Sequence, residues 1–334
     1  MEIKEVLLDG EREQVKAFLS SFGLGYREDT EYTAYIESGG EIKATVSYAK
    51  NIIMQLAISP EMQGENLAAT LVSHVIARMR EAKIYGYRVF TKPENINIFL
   101  GLGFRLLVQS DKFAALEGGE SDISRAVSAL KVKIDMELGG IEADTAAIVI
   151  NGNPFTEGHL ALCEYALARH KRLLLFVLEE DLSYFSYKER MSLAFLATRA
   201  FRDRVSVLPS TDYIVSRATF PDYFLHTANE ATSAYAEYDA LIFKKYFMSE
   251  LGIKKRYFGS ENTDYMKIYN EAMRNVLGEG AELVKRFEKD GKEISAKDVR
   301  RLVEEGRIKE AINLVPTSCR AVISFMINGK ITNV

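Results

Sequence analysis

Ala146-Ala147-Ile148-Val149-Ile150-Asn151-Gly152-Asn153-Pro154-Phe155-Thr156-Glu157-Gly158-His159 decides the fold. Its first five residues form an unbroken apolar run, the pattern of a strand buried on both faces in a parallel sheet. Asn151 to Pro154 then turn the chain, and a helix is expected over Gly158–His170. A helix start offers unpaired backbone N–H groups and a partial positive charge, which together favour phosphate. Gly158 lets a nucleotide approach the backbone with no Cβ in the way. His159, in the first turn, can aim its ring at the same anion, and Thr156 can offer its hydroxyl from the opposite lip.

The same alternation continues downstream. Strand Leu173–Leu178, helix Tyr187–Phe201, strand Arg204–Leu208, strand Arg256–Gly259 and terminal helices are expected. This is the rhythm of an α/β parallel sheet with right-handed crossovers, whose ligands sit at the carboxyl ends of the strands. Upstream the character differs. Strands Tyr32–Ile36, Ile42–Tyr48 and Ile52–Ile58 follow one another across Gly39-Gly40 and Lys50-Asn51 turns. A helix over Glu65–Ala82 keeps Leu67, Leu71, Val75, Ile76 and Met79 at helical spacing. Strand Tyr87–Thr91, a short helix Ile96–Leu100 and strands Phe104–Val108 and Lys112–Leu116 complete this part. Glu117 to Asp122 is small, polar and turn-forming. The expected division is therefore a first domain over 1–117, a linker over 118–140 with helix Ile123–Ile134, and a second domain over 141–334.

Composition narrows the function. The 334 residues include 43 basic and 47 acidic side chains, a formal charge of -4, which is unlike a chain that coats itself with nucleic acid or an anionic membrane. Two cysteines, Cys163 and Cys319, cannot form a disulfide framework or a zinc cluster. With only four histidines a multi-histidine metal site is excluded, and no protein-held metal is expected. The charged start and the absence of any apolar run near the roughly 20 residues needed to span a bilayer point to a cytoplasmic protein. His74, His170 and His226 read as packed or surface residues, and Cys163 as a small apolar one.

Thr156-x-Gly158-His159 resembles the first signature of the nucleotidylyltransferase superfamily. That superfamily's second signature, Ile-Ser with a nearby Arg opening a late helix, is matched by Ile294-Ser295-Ala296-Lys297-Asp298-Val299-Arg300. Ser295 is a natural N-cap, and the planar fork of Arg300 suits phosphate oxygens. The resemblance implies a Rossmann-like doubly wound parallel sheet.

Further stretches narrow it. Asn153-Pro154-Phe155, Glu179-Glu180-Asp181-x-Ser183-x-Phe185, Asp212 to Ser216, Ala218-Thr219-Phe220-Pro221-x-Tyr223-Phe224-Leu225, and Gly259-Ser260-Glu261 with Ile268-Tyr269-Asn270 are similar to the citrate lyase ligase family. Ile58 to Ala68, with Gln63, Gly64, Asn66 and Ala68, resembles the pyrophosphate loop of the GCN5-related N-acetyltransferases (GNAT). This implies a mixed-sheet GNAT-like first domain that can hold a CoA-like moiety, with Asn66 tolerating the left-handed backbone where glycine is usual.

The family resemblance implies a ligase that uses ATP, with Mg2+ on its phosphates, to activate acetate as acetyl-adenylate. The acetyl group passes to the prosthetic-group thiol of the citrate lyase acyl carrier subunit. His159, Thr156 and Arg300 would surround the phosphates. Asn153, Pro154, Phe155, Gly158, Gly259, Ser260, Glu261, Ile294 and Ser295 would form the nucleotide site. Two departures stand out: the loop after Leu178 lacks the lysine that related enzymes use, leaving Lys188 or Arg190 as substitutes, and no proline follows Glu261. The alternatives are a nucleotidylyltransferase acting on a phosphorylated small molecule, and an N-acetyltransferase with a regulatory nucleotide-binding domain.

Overall fold

In the computed structural model, residues 2–64, 66–179, 183–215, 220–260, 263–289 and 291–331 are described. The chain divides into two compact units, Met1–Asp122 with Phe220–Tyr238, and Ile123–Thr219 with Asp239–Val334. Among the described residues, no helix is long and apolar enough to cross a membrane.

The first unit runs β1 (Ile3–Glu5), α1 (Asp9–Ser21), β2 (Tyr32–Ser38), β3 (Glu41–Ala49), β4 (Ile52–Ile58), α2 (Leu67–Glu81), β5 (Gly86–Thr91), α3 (Ile96–Gly101), β6 (Arg105–Gln109) and β7 (Ala114–Gly119). The strands form one sheet in the order β1-β2-β3-β4-β5-β7-β6. It is mixed, as expected: β4 and β5 pair parallel while their other neighbours run antiparallel. On α2, Leu67, Leu71, Val72, Val75 and Met79 are buried, which is the stripe that the helical spacing requires. Asn66 caps this helix with φ 58°, so asparagine does supply the left-handed residue.

β1 and α1 were not anticipated. β1 has three residues with two exposed, and α1 buries only Val15 and Leu19, so neither carries a clear periodic signal. The larger departure is Phe220–Tyr238. It lies in sequence among second-domain residues but packs in the first unit. Phe220 meets the rings of Phe90, Phe113 and Tyr238 at 5.5, 6.3 and 5.9 Å. These aromatic contacts, edge-to-face with Phe90 and Phe113 and tilted with Tyr238, bring a distant stretch of chain into this core.

The second unit begins with α4 (Ile123–Leu138), followed by β8 (Thr145–Ile150), α5 (Glu157–Leu167), β9 (Arg172–Val177), α6 (Tyr187–Thr198) and β10 (Val205–Pro209). Helix α7 (Ala228–Ile242) crosses the boundary between the two units in sequence. Then come β11 (Ile253–Gly259), α8 (Asp264–Leu277), β12 (Ala281–Val284), a short hairpin of β13 (Glu288–Lys289) and β14 (Lys292–Glu293), α9 (Ala296–Glu304), α10 (Ile308–Ile312) and α11 (Arg320–Ile331).

The expected linker of 118–140 is not a free connector. β7 extends into it, and α4 buries Ile123, Val127, Leu130, Ile134 and Leu138. Lys133 donates to the Val207 carbonyl at 2.8 Å and Ser206 donates to Glu137 at 2.5 Å, which fixes α4 on β10. Five apolar residues at helical spacing have to be covered, and α4 packs on β10 and on the helical stretch Phe243–Met248.

The second sheet is wholly parallel, in the order β10-β9-β8-β11-β12. From β8 the chain winds one way to β9 and β10, then returns to place β11 on the other side of β8. In sheets that reverse in this way ligands sit at the carboxyl ends of the strands flanking the reversal, which here are β8 and β11.

Candidate functional site

The loop leaving β8 is held from below. Arg190 of α6 is fully buried. It donates to the carbonyls of Asn151 at 2.8 Å, Leu178 at 2.7 Å and Phe185 at 3.1 Å, and to Oδ1 of Asn151 at 2.9 Å. Its guanidinium thus clamps the loop after β8 to the one after β9, and its role is structural, not that of a substitute phosphate base. Lys188 is exposed on the same helix. Oδ1 of Asn153 accepts from the Phe185 N–H at 3.0 Å, the Asn153–Pro154 peptide is cis, and Phe155 is fully buried.

Thr156 is the N-cap of α5, and its relation to His159 is reciprocal. The His159 N–H donates to Oγ1 of Thr156 at 3.4 Å, and the Thr156 N–H donates to Nδ1 of His159 at 3.0 Å. This is a capping box with histidine in the place usually taken by glutamate. The Thr156 hydroxyl, expected on the opposite lip of the site, is instead 1% exposed and lies 3.0 Å from Nδ1. Thr156 is therefore a positioning residue here.

The cap also fixes the state of the ring. A backbone N–H can only donate, so Nδ1 accepts and the imidazole proton sits on Nε2. Burial, with the charge of Arg286 beside it, pushes the His159 pKa down to about 4. At neutral pH His159 is thus an uncharged N–H donor, and the Phe155 ring at 5.3 Å backs it.

The second motif packs onto the first. Val299, Leu302 and Val303 of α9 enter the same core as Phe155 and Leu162. Ser295 caps α9, accepting from the Lys297 N–H at 3.1 Å. Arg300, one turn on, donates to the Asn153 carbonyl. A Cβ on Gly158 would meet the Ile294 carbonyl at 3.3 Å and the Ile294 Cβ at 3.4 Å. The space left by this glycine therefore admits the second motif's own backbone.

At the end of β11, Gly259 has open space where a Cβ would be, and Ser260 donates its N–H to the Val284 carbonyl at 2.8 Å. Glu261 lies outside the described residues, as do Glu180, Asp181, Ser216, Ala218 and Thr219 of the other quoted stretches. At the end of β9, burial and the nearby Asp212 raise the Glu179 carboxyl above the usual range. Among the described residues, no three histidine, cysteine or acidic side chains gather as a metal cage.

Arg286 was not anticipated. It follows β12, a strand with one buried residue, and its ion pair with Glu293 at 3.7 Å is long. The local signal was Lys285-Arg286 directly after a short apolar run. The other histidines are structural or superficial, as expected. His74 bonds Tyr32 at 2.8 Å, His170 sits between Asp144 and Tyr257 at 2.9 Å each, and His226 is exposed. In the first unit, Gln63, Gly64, Asn66 and Ala68 all line a cavity of about 550 Å3.

Comparison with known proteins adds the following. The model of the citrate lyase ligase C-terminal domain matches residues 145–323. The citrate (pro-3S)-lyase ligase of Klebsiella pneumoniae is 31% identical over 317 residues, covering 91% of this chain and 90% of that protein. That of Escherichia coli is 30% identical over 315 residues, covering 91% and 87%. The likeness thus runs through both units. Among solved structures, the GNAT domain of S. lividans PAT covers 35% of this chain and 89% of its own at 18% identity and a TM-score of 0.30, so the sequence relatives carry the comparison.

Proposed function

The chain belongs to the citrate lyase ligase family, and on that premise we propose that it is an ATP-dependent acid–thiol ligase for acetate and the citrate lyase acyl carrier subunit. An acetate oxygen attacks the α-phosphorus of ATP and pyrophosphate leaves, giving acetyl-adenylate. The prosthetic-group thiol, losing its proton, then attacks the acetyl carbonyl and AMP leaves.

The observation that carries this reading is the bond from Arg300 to the Asn153 carbonyl. It supports a single phosphate site formed by the start of α5 and the start of α9. One nitrogen of the Arg300 fork is used on Asn153, and the fork has further N–H donors for phosphate oxygens. His159 offers Nε2–H from the first turn of α5, Thr156 fixes its tautomer, and the helix start adds its partial positive charge. Gly259 leaves room over β11 for the nucleotide. Holding attacker and leaving group in line, with donors preset for the developing charge, is the main catalytic demand of such a step. Arg286 is the basic residue best suited to stand in for the absent loop lysine. Mg2+ would arrive on the triphosphate and neutralise part of its charge, with Glu179 and Asp212 supplying oxygen donors of the kind it takes. The CoA-like arm of the acceptor would be held by the Gln63–Ala68 loop of the first unit.

The test is acetate-dependent exchange of radiolabelled pyrophosphate into ATP, with and without deacetylated citrate lyase. Exchange that needs a phosphorylated acceptor in place of acetate would overturn the reading in favour of a nucleotidylyltransferase.

A further inference from the structure

We propose that the outer face of α6 is the docking surface for an acidic face of the acyl carrier subunit, with Phe195 as its apolar anchor and Lys188, Arg199 and Arg202 as its charges. The inference rests on the reading above that this subunit is the acceptor.

Helix α6 has two faces with different tasks. Its inner face buries Arg190, Leu193, Ala194 and Ala197, and Arg190 holds the loop after β8. The other face carries Lys188, Ser192, Phe195 and Arg199, all exposed, at spacings of four, three and four residues. Residues so spaced lie in one line along a helix. Arg202 follows the 3-10 turn Arg199–Phe201 and is also exposed. Phe195 is 59% exposed, and a ring of that size gains when a partner covers it.

The charges around it are uncommitted. Among the described residues, Lys188, Arg199 and Arg202 enter no ion pair. Other cations of this region are engaged: Arg190 and Arg204 donate to backbone carbonyls, and Lys330 pairs with Glu189 at 2.9 Å. Between residues 188 and 204 the exposed charged side chains are these three cations and Asp203. This local excess stands on a chain of net charge -4. A broad basic coat would suit a polyanion, whereas a single stripe around an aromatic ring suits an acidic protein face. Phe325 of α11 is also exposed, at 80%, but the cations of its helix, Arg320 and Lys330, face Glu157 and Glu189 at 4.0 and 2.9 Å.

The stripe begins on the ligand side of the sheet. Helix α6 follows the loop that leaves the carboxyl end of β9, the strand beside β8. From Lys188 the stripe runs about 20 Å away from that end. A carrier docked along it has the carboxyl ends of β8 and β9 at one end of its footprint. A CoA-like arm, joined to its protein through phosphate, brings anionic charge to the same place.

The test is surface plasmon resonance of the full chain against deacetylated citrate lyase, at low and at physiological salt. Wild type binds, and binds more weakly as salt rises. Arg199→Glu combined with Arg202→Glu weakens binding at least about tenfold and flattens the salt dependence. Phe195→Ala weakens it about tenfold with the salt dependence kept. Arg199→Lys, which retains the charge, binds as wild type does. All these variants keep the wild-type melting temperature and the acetate-dependent exchange measured without citrate lyase. Absence of binding by the wild type, or an unaltered affinity in both the double charge variant and Phe195→Ala, overturns the docking surface. So does an unaltered affinity for citrate lyase beside a lost affinity for anionic vesicles. Exchange absent from the wild type, with binding and its salt dependence as stated, overturns the adenylation reading alone.

Discussion

Gly158 and Ile294, 136 positions apart in sequence, meet so closely that a Cβ on the glycine would lie 3.3 Å from the isoleucine's carbonyl oxygen. The neighbour is backbone and cannot swing aside. In Gly158→Ala the gain in helix propensity of about 1 kcal/mol is set against an overpacking cost of about 1–3 kcal/mol. The expected outcome is a net loss of about 1 kcal/mol, read as a lower urea midpoint at constant m-value. The exchange rate should also fall, because α9 and Arg300 are displaced. An alanine variant more stable than wild type would show that the contact is loose.

His159→Ala removes the Nε2–H donor and should lower acetate-dependent exchange by about 100- to 1,000-fold. Exchange near the wild-type rate would sink the assignment.

The depressed pKa of His159 also predicts an acid sensitivity. Folded His159 titrates at about 4, against an ordinary 6.5 in the unfolded chain. Below 6.5 the unfolded state takes up a proton that the folded state refuses, so stability present at neutral pH is lost as the pH falls from 6.5 towards 4. The effect is on the order of 3 kcal/mol. Urea titrations at pH 7 and 4.5 should show His159→Gln losing less stability on acidification than wild type. Parallel losses would mean that the ring is not held neutral.

Arg300→Lys keeps the charge but not the fork, so it cannot hold both the Asn153 carbonyl and a phosphate in the same geometry. Exchange should fall at least about tenfold with little change in melting temperature.

Arg190 and Lys188 should separate cleanly. Arg190→Ala empties the site of a fully buried guanidinium and takes a donor from three carbonyls, that of Phe185 buried and those of Asn151 and Leu178 partly so, and should cost about 3 kcal/mol. Lys188→Ala, on the surface, should stay within about 0.5 kcal/mol and leave exchange unaffected. A large kinetic effect of Lys188→Ala would restore it as the missing phosphate base.

Much of the second unit was legible locally. The apolar run before Asn151 becomes the central strand β8, and Ser295 caps α9 as its position suggests. Thr156 and His159 were legible as a pair but not in their relation. The spacing Thr-x-x-His is that of a capping box, and reading it so would have turned the hydroxyl inward. Arg286 escaped because the strand before it has three partly exposed residues and no alternation. The placement of Phe220–Tyr238 could not be read from periodicity. It depends on aromatic contacts with Phe90 and Phe113, more than a hundred positions away.

That placement bears on how the chain can be cut and exchanged. The backbone passes between the two units three times, after residues 122, 219 and 238. A fragment ending at 122 would leave the ring faces of Phe90 and Phe113 uncovered, and it would be expected to aggregate. Grafting the first unit onto another protein therefore needs two separate pieces of sequence. A chimera between relatives should recombine at paired positions, near 122 and again on either side of 220–238, for both halves to keep complete cores.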